Sequence, residues 1–492
     1  MMNKKKLSKN LIITFGAYAL LLVLNIVVSK VVLISYGSEV NGLLASVNQV
    51  YSYIALLEAG IGTATVTALY APLANKNKDE INHVCSASVS YYRHILKWYV
   101  LCVIIVSFLW PFTLESTIGY GTIFGVILIQ GVSNALTFYY VSTTTNYLVA
   151  SGKNYINAYI HMGITALTYI SKAVVSLVGG NVLIVSLTLL GINAIKCLIY
   201  GIYKKIVCKN LLFNLKADLS ILKQRNSFLI HEIVGVVFSS TDLVLISVLC
   251  DLKAASIYAV YSMVVSAVST IIGQVFNSSH YILGDAYHKD NYQKTHDNFN
   301  TIYITIVFAL YTIAYILFKP FIEIYTRGIE DIDYSIRFLP ILFVLIQLLS
   351  ACRAVDTVLI RNAGHAKLTI SRTIIEAVVN LGTSILLIGS IGIHGALLGT
   401  ILALLYRAND MIIYANKRIL KRSPWKEYKL YLLNFLIFGF AVALNYNFPI
   451  QAVGYLDLLG KAVVISIIVI IVYCALNIAI FGKQIIKPLK SK

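Results

Sequence analysis

The sequence predicts an all-α polytopic membrane protein of about fourteen transmembrane helices, and three observations predict it. The 492 residues are 58% hydrophobic and 12% charged, with a mean hydropathy of +0.79, whereas soluble globular chains carry about 25% charged residues. Apolar runs of the roughly 20 residues needed to cross a hydrocarbon core recur from end to end. The basic residues sit in short clusters between those runs, which is the layout of membrane topology signals. The net charge of +19 is therefore no argument for nucleic acid.

The expected spans fall near residues 11–35, 41–70, 89–110, 118–149, 155–179 and 181–203, then, after a basic connector, 227–250, 254–284, 298–318, 338–361, 367–390, 391–415, 428–447 and 458–481. The first run passes the signal-like Ala17-Tyr18-Ala19 by about ten residues, so it reads as a spanning helix rather than a cleaved leader. With the N-terminus inside, 28 of the 40 Lys and Arg residues fall in inside segments and 4 (Lys253, Lys319, Arg327, Arg337) outside. A single missed helix would invert this bias downstream of it, so both termini are expected on the cytoplasmic side of the cell membrane.

A weak internal echo indicates duplication. "VLIS" at 32–35 and "VYS" at 50–52 recur in order at 244–247 and 260–262. The implied organisation is an N-terminal six-helix bundle (1–203), a cytoplasmic connector (204–226), a C-terminal six-helix bundle (227–416), and two additional helices with a basic tail (417–492).

Several chemistries lack their motifs. There is no phosphate-binding G-x-x-x-x-G-K-[ST] loop, no H-E-x-x-H metal spacing, no G-x-S-x-G and no nucleophilic Cys/His pairing. The seven cysteines (85, 102, 197, 208, 250, 352 and 474) show no C-x-x-C and read as small reduced residues. No enzyme, metal or cofactor is expected. A membrane polymerase or ligase would commonly need a large outside loop, and 319–337, with Glu323, Glu330, Asp331 and Asp333, reads as a short solvated acidic one.

Ionisable residues inside spans are functional candidates by default. Lys97, Lys461 and Arg372 lie near helix ends and are expected to snorkel to the headgroups. Arg353 with Asp356, Arg407 with Asp410, and Arg372 with Glu376 share helix faces and can neutralise each other locally. Glu58, Lys172 and Lys196 lie deeper, with no opposite charge within four residues on their own helix. Lys30, in the outer part of span one, is a fourth candidate. Glu232 and Asp242 lie in span seven. His161, in span five, reads most simply as a hydrogen-bonded packing residue. Around Glu58, "AGIGTATVTA" supplies small residues and hydroxyls suited to close helix contact. Most of the 34 tyrosines should be interfacial anchors, with a minority free to stack on sugars.

The stretch "YGSEVNGLLASVNQVYSYIALLEAGIGTATVTALYAPLANKNKDEI" (36–81) resembles the Wzx-type polysaccharide flippases of the multidrug/oligosaccharidyl-lipid/polysaccharide (MOP) exporter superfamily. The matching features are Tyr36-Gly37, Gly42, Glu58 followed by Gly60, the Tyr70-x-Pro72-Leu73 exit, and the loop with Lys76, Lys78 and Asp79. The resemblance implies a MATE-like core of two six-helix bundles around a central cationic cavity, working by alternating access. It implies as cargo an undecaprenyl-pyrophosphate-linked oligosaccharide, a capsule, O-antigen or exopolysaccharide repeat unit, moved to the outer leaflet. Membrane lipids and other polysaccharide-assembly membrane proteins are the implied partners. Lys30, Lys172, Lys196 and Arg353 are then candidates for the pyrophosphate. Glu58 is expected to face the cavity, compensated by Lys196 or Lys172. Glu58 and Asp242 are candidates for a coupling H+ or Na+. Two alternatives stay open: a drug or cation exporter of the same fold, and a teichoic-acid or peptidoglycan-precursor translocase.

Overall fold

The computed structural model describes residues 4–207, 215, 221, 225–279, 281–287 and 292–486. Most of the expected connector 204–226, Cys208, Lys289 and the basic tail beyond residue 486 lie outside the described residues, as does the Glu232 side chain. Every element among the described residues is helical. Twelve helical stretches are long and apolar enough to cross a membrane, so the protein is a multi-pass membrane protein. The fourteen expected spans are matched approximately. Leu20–Glu58 takes in the first and part of the second across a bend at Gly37, and the seventh is the helix Arg225–Leu249, of which Ser240–Leu249 is a shorter apolar segment among the described residues.

The chain divides into two compact units, residues 1–256 and 257–492. Unit 1 opens with α1 (Lys4–Ile54), which is two helices joined at Gly37, where φ is 79° and ψ 178°. Only glycine adopts that conformation without a steric penalty, so the Tyr36-Gly37 pair makes the bend. After α1 the expected continuous helix 41–70 fails. A 3-10 turn, Ala55–Glu58, is followed by Ala59 in extended conformation and Gly60 at φ 78°. The helix restarts as α2 (Ile61–Ala74). A left-handed glycine is a helix terminator, and here it acts in mid-span.

Next come α3 (Lys78–Leu109), whose N-cap Asn77 accepts the Glu80 amide at 3.3 Å, α4 (Tyr120–Ala150), α5 (Asn154–Leu177), α6 (Val182–Val207) and α7 (Arg225–Leu249). Within the unit α4 packs on α3 and α6, and α1 on α5 and α7. Small residues set the close approaches. A Cβ at Gly131 would sit 2.3 Å from Val103 and 2.5 Å from the Tyr51 hydroxyl, which donates to the Ile127 carbonyl at 2.5 Å. A Cβ at Gly42 would lie 1.8 Å from the Leu252 carbonyl oxygen, beside the Asn41–Ser256 bond of 2.7 Å. The hydroxyls after Glu58 partly bridge helices, as expected. Thr65 donates to Ser88 at 3.3 Å, and Ser88 lies 3.2 Å from Thr143. Thr67 instead bonds its own helix at Thr63.

The division falls within α8 (Leu252–Ser279). Unit 2 continues with α9 (Tyr281–Tyr287), α10 (Tyr292–Tyr325), α11 (Leu339–Cys352), α12 (Ala354–Asn362), α13 (Ile370–Ile391), α14 (Ile393–Tyr414), α15 (Trp425–Asn447) and α16 (Tyr455–Ile486). Here too one expected span, 338–361, is broken: α11 ends and α12 begins at Arg353. The expected spans 367–390 and 391–415 do separate, at Gly392 (φ 56°). They pair tightly because Gly395 and Gly399 leave room for Leu387 and Ser384.

Helix α10 carries α11, α15 and α16. The added pair is held by polar contacts inside the apolar layer, where hydrogen bonds associate helices that hydrophobicity does not. Asn434 and Asn477 exchange amide bonds of 3.1 Å, and Tyr473 meets Thr312 at 2.8 Å. The opposite face of α16 leaves Leu456, Leu459, Ile467 and Ile471 exposed, as a lipid-facing helix requires.

Candidate functional site

Glu58 is the last residue of the 3-10 turn that interrupts the α1–α2 span, and it is half-buried. Broken helices inside a membrane free backbone groups and place side chains where a continuous helix would not. The Tyr99 side chain of α3 lies within electrostatic range of Glu58. Helix α7 packs against the same turn. There Tyr53 and Thr241 are hydrogen-bonded at 2.5 Å, and Asp242, buried at 4% exposure, lies within electrostatic range of Tyr53. The two acids expected to bind a coupling ion therefore belong to one neighbourhood of unit 1.

The expected cations lie elsewhere in the unit. Lys172 on α5 and Lys196 on α6 are half-buried, and the two helices pack together. Neither forms an ion pair with a described residue, so the bridge expected from Glu58 to Lys196 or Lys172 does not form. These side chains sit on the α5–α6 pair, whereas Glu58 keeps to the turn beside α3 and α7. The neighbour of Lys196 is His161, which lies within electrostatic range of it. His161 is exposed, which corrects its reading as a packing residue. Lys30, half-buried, stands on α1 before the Gly37 bend.

In unit 2 the charges behave differently. Arg353, at the α11–α12 break, reaches Glu376 on α13 (Nη1–Oε1 2.5 Å) and not Asp356. Arg372 does not snorkel; it reaches Asp410 on α14 (2.6 Å) and covers the Tyr414 ring at 4.9 Å. Arg407 binds Asp410 (2.6 Å), Thr373 (2.9 Å) and Glu376 (Nε–Oε2 3.4 Å). Only Arg407–Asp410 keeps its expected local partner. The other two pairs recombine across helices because buried ions gain most where several partners satisfy each of them. Among the described residues the network brings together three guanidinium groups and two carboxylates.

Two expectations about other regions bear on chemistry. The Glu323, Glu330, Asp331 and Asp333 side chains are all exposed, and Lys319–Glu323 is a surface pair at 3.8 Å. Tyr139 and Tyr140 meet edge to face at 4.8 Å beside an apolar groove between α3 and α4, a lining suited to acyl chains more than to sugars. The sequence reading missed the helix breaks that position Glu58 and Arg353. The signal was present for the first, in Gly60 two residues after Glu58. For the second there was none, since neither Gly nor Pro marks the Cys352–Ala354 junction.

No family model matches the sequence, and no curated protein does. Solved structures do. The chain superposes on the lipid II flippase MurJ in an inward closed conformation with a TM-score of 0.72, 13% identity, and coverage of 95% of this chain and 99% of that one. It superposes on an inward-facing multidrug resistance MATE family transporter of the MOP superfamily with a TM-score of 0.67, 12% identity, and coverage of 81% and 94%. A MATE in complex with MaD3S gives a TM-score of 0.54, with 14% identity over 82% and 96%. At these identities the likeness is one of fold: the chain has the all-helical transporter fold that MATE proteins and MurJ share.

Proposed function

We propose that the protein is a transporter that flips an undecaprenyl-pyrophosphate-linked oligosaccharide from the cytoplasmic to the outer leaflet by alternating access. It is not an enzyme, and both termini lie inside the cell. The observation that carries this reading is the pair Lys172 and Lys196. They are two half-buried lysines on packed membrane helices, with no ion-pair partner among the described residues. A lysine in that setting calls for an anion, and a lipid pyrophosphate supplies one inside the membrane. Lys30 and Arg353 are further candidates for the same group. The fold shared with a lipid II flippase supports a lipid cargo, and peptidoglycan or teichoic-acid precursors fit the same chemistry.

A second reading has its own observation. Glu58 and Asp242 gather at the α1–α2 break, and a drug or cation exporter of this fold would use such acids for its cargo. In the leading reading they bind the coupling H+ or Na+ instead.

Flipping of a fluorescent undecaprenyl-pyrophosphate oligosaccharide in proteoliposomes separates the two. Flipping by the wild type that Lys196→Ala abolishes is the expected result. Transport of a cationic dye with no lipid flipping would move the protein to the exporter reading.

A further inference from the structure

A second charge cluster of unit 2 lies where the starts of α10 and α15 meet α12. His296 is fully buried. Its Nε2 lies 3.2 Å from Asp356 Oδ1 on α12, and its Nδ1 lies 3.7 Å from Asp297 Oδ1, too far for a hydrogen bond. Asp297 is held by Arg422 at 2.7 Å and Lys426 at 2.5 Å. Glu427, 3% exposed, accepts Asn416 (2.8 Å) and Arg422 (3.0 Å) on Oε1 and the Tyr431 hydroxyl (3.3 Å) on Oε2. Asp356 is 1% exposed, and its Oδ2 makes no hydrogen bond. Glu427 lies within electrostatic range of Asp356.

Among the described residues the charges here do not balance without a proton. Asp297, Asp356 and Glu427 face two cations, Arg422 and Lys426. Arg422 stays charged. Burial works against its charge, but the hydrogen bonds and charges of Asp297 and Glu427 outweigh this and push the guanidinium above its usual range. The other ionisable groups around Asp356 are Tyr292 on α10, Cys352 on α11, and Tyr428 and Tyr431 on α15. All are neutral at ordinary pH. One negative charge is left over in a dry site, and two adjacent carboxylates strongly resist ionising together.

A single proton resolves both difficulties, and it has two places to sit. On the imidazole, Nε2–H donates to Asp356 and Nδ1–H points to Asp297. On the acids, it sits on Asp356 Oδ2 and removes the repulsion between Asp356 and Glu427. Of the buried atoms here without a hydrogen-bond partner, which include Tyr292 Oη and Asn300 Oδ1, His296 Nδ1 and Asp356 Oδ2 are the two that these placements occupy. Donor atoms of His296, Asp297 and Glu427 also lie within 4.8 Å of one another, a spacing that suits a metal ion. Arg422 and Lys426 already occupy those carboxylates, so a metal would have to displace them.

We propose that His296, Asp356 and Glu427 form a binding site for one exchangeable proton. The proton is taken from water past Lys426, whose side chain is 41% exposed, and it ties α10, α12 and α15 together while it is bound. When it leaves, Asp356 and Glu427 repel and that junction loosens, so pH acts on unit 2 independently of Glu58 and Asp242.

The test is an infrared pH titration of the full chain in lipid through about pH 5 to 8, which needs no substrate. Against the background of the other histidines, the wild type shows one titrating carboxyl or imidazole group that is lost in Asp356→Asn. Glu427→Gln and His296→Gln shift the same signal, and they give the reading if Asp356→Asn fails to fold. An unchanged titration in well-folded variants overturns the proposal. So does a bound divalent metal whose removal by a chelator reproduces the spectral change.

Discussion

Unit 1 and unit 2 treat charge inside the membrane in opposite ways. In unit 2 Arg353, Arg372 and Arg407 are each met by a carboxylate on another helix, while Arg361 is exposed, and Glu376 and Arg407 are almost fully enclosed. In unit 1 Lys172 and Lys196 have no acid partner among the described residues, and Glu58 sits on a helix break. An intramembrane charge costs free energy whichever unit holds it. Where the protein itself supplies the partner, the charge holds helices together. Where the described residues supply none, the proposed partner comes from outside, as cargo or as a coupling ion. The two units thus separate structural charge from functional charge, and substitutions should sort the same way.

The largest effect is expected in unit 2. Arg407→Ala leaves Glu376 and Asp410 each short of a partner in an enclosed site, at a cost of about 3–5 kcal/mol. Thermal unfolding in detergent should show a large drop, with transport lost alongside the fold. A stability near wild type would break the comparison, because the network would then be dispensable to the structure.

Lys196→Ala should do the reverse. Removing a half-buried cation that has no ion-pair partner among the described residues relieves a desolvation cost, so the unfolding temperature should hold or rise slightly. Flipping of the pyrophosphate lipid should fall at least tenfold, which is about 1.4 kcal/mol of lost binding. Falling stability with intact flipping would place Lys196 among the structural charges. Glu58→Gln is expected to be milder still in stability and to alter the dependence of transport on the ion gradient. Full transport with unchanged ion dependence would remove Glu58 from both the coupling and the balancing roles.

The difference between the units also marks what could be read from the sequence. Span positions rest on hydropathy, a property summed over about 20 residues, and they survive local surprises. Partner choice rests on single side chains and on which helices meet. Arg353 has Asp356 one turn away, yet it takes Glu376, because Asp356 is claimed by His296. Nothing on one helix records that competition. The bend at Gly37 and the break at Gly60 were legible as glycines but not as left-handed residues, since glycine suits both tight packing and a positive φ. His296 and Glu427 were passed over because they sit at the ends of spans, where a charge normally meets water.

The smallest effect should come from the outside acidic segment. Lys319 and Glu323 are an i,i+4 pair at 3.8 Å with side chains 59% and 45% exposed, and exposed pairs of this kind contribute about 0.3–0.5 kcal/mol. Lys319→Ala should therefore leave both the unfolding temperature and transport within error, and Glu323→Gln should match it. This sets the baseline for the other comparisons, since it removes charge of both signs without touching a buried partner or an unpaired cation. It also tests the one segment that an enzymatic reading would need. If Glu323→Gln stopped product formation in a purified system while lipid flipping continued, the outside loop would hold chemistry of its own. The division between structural and functional charge would then extend beyond the membrane.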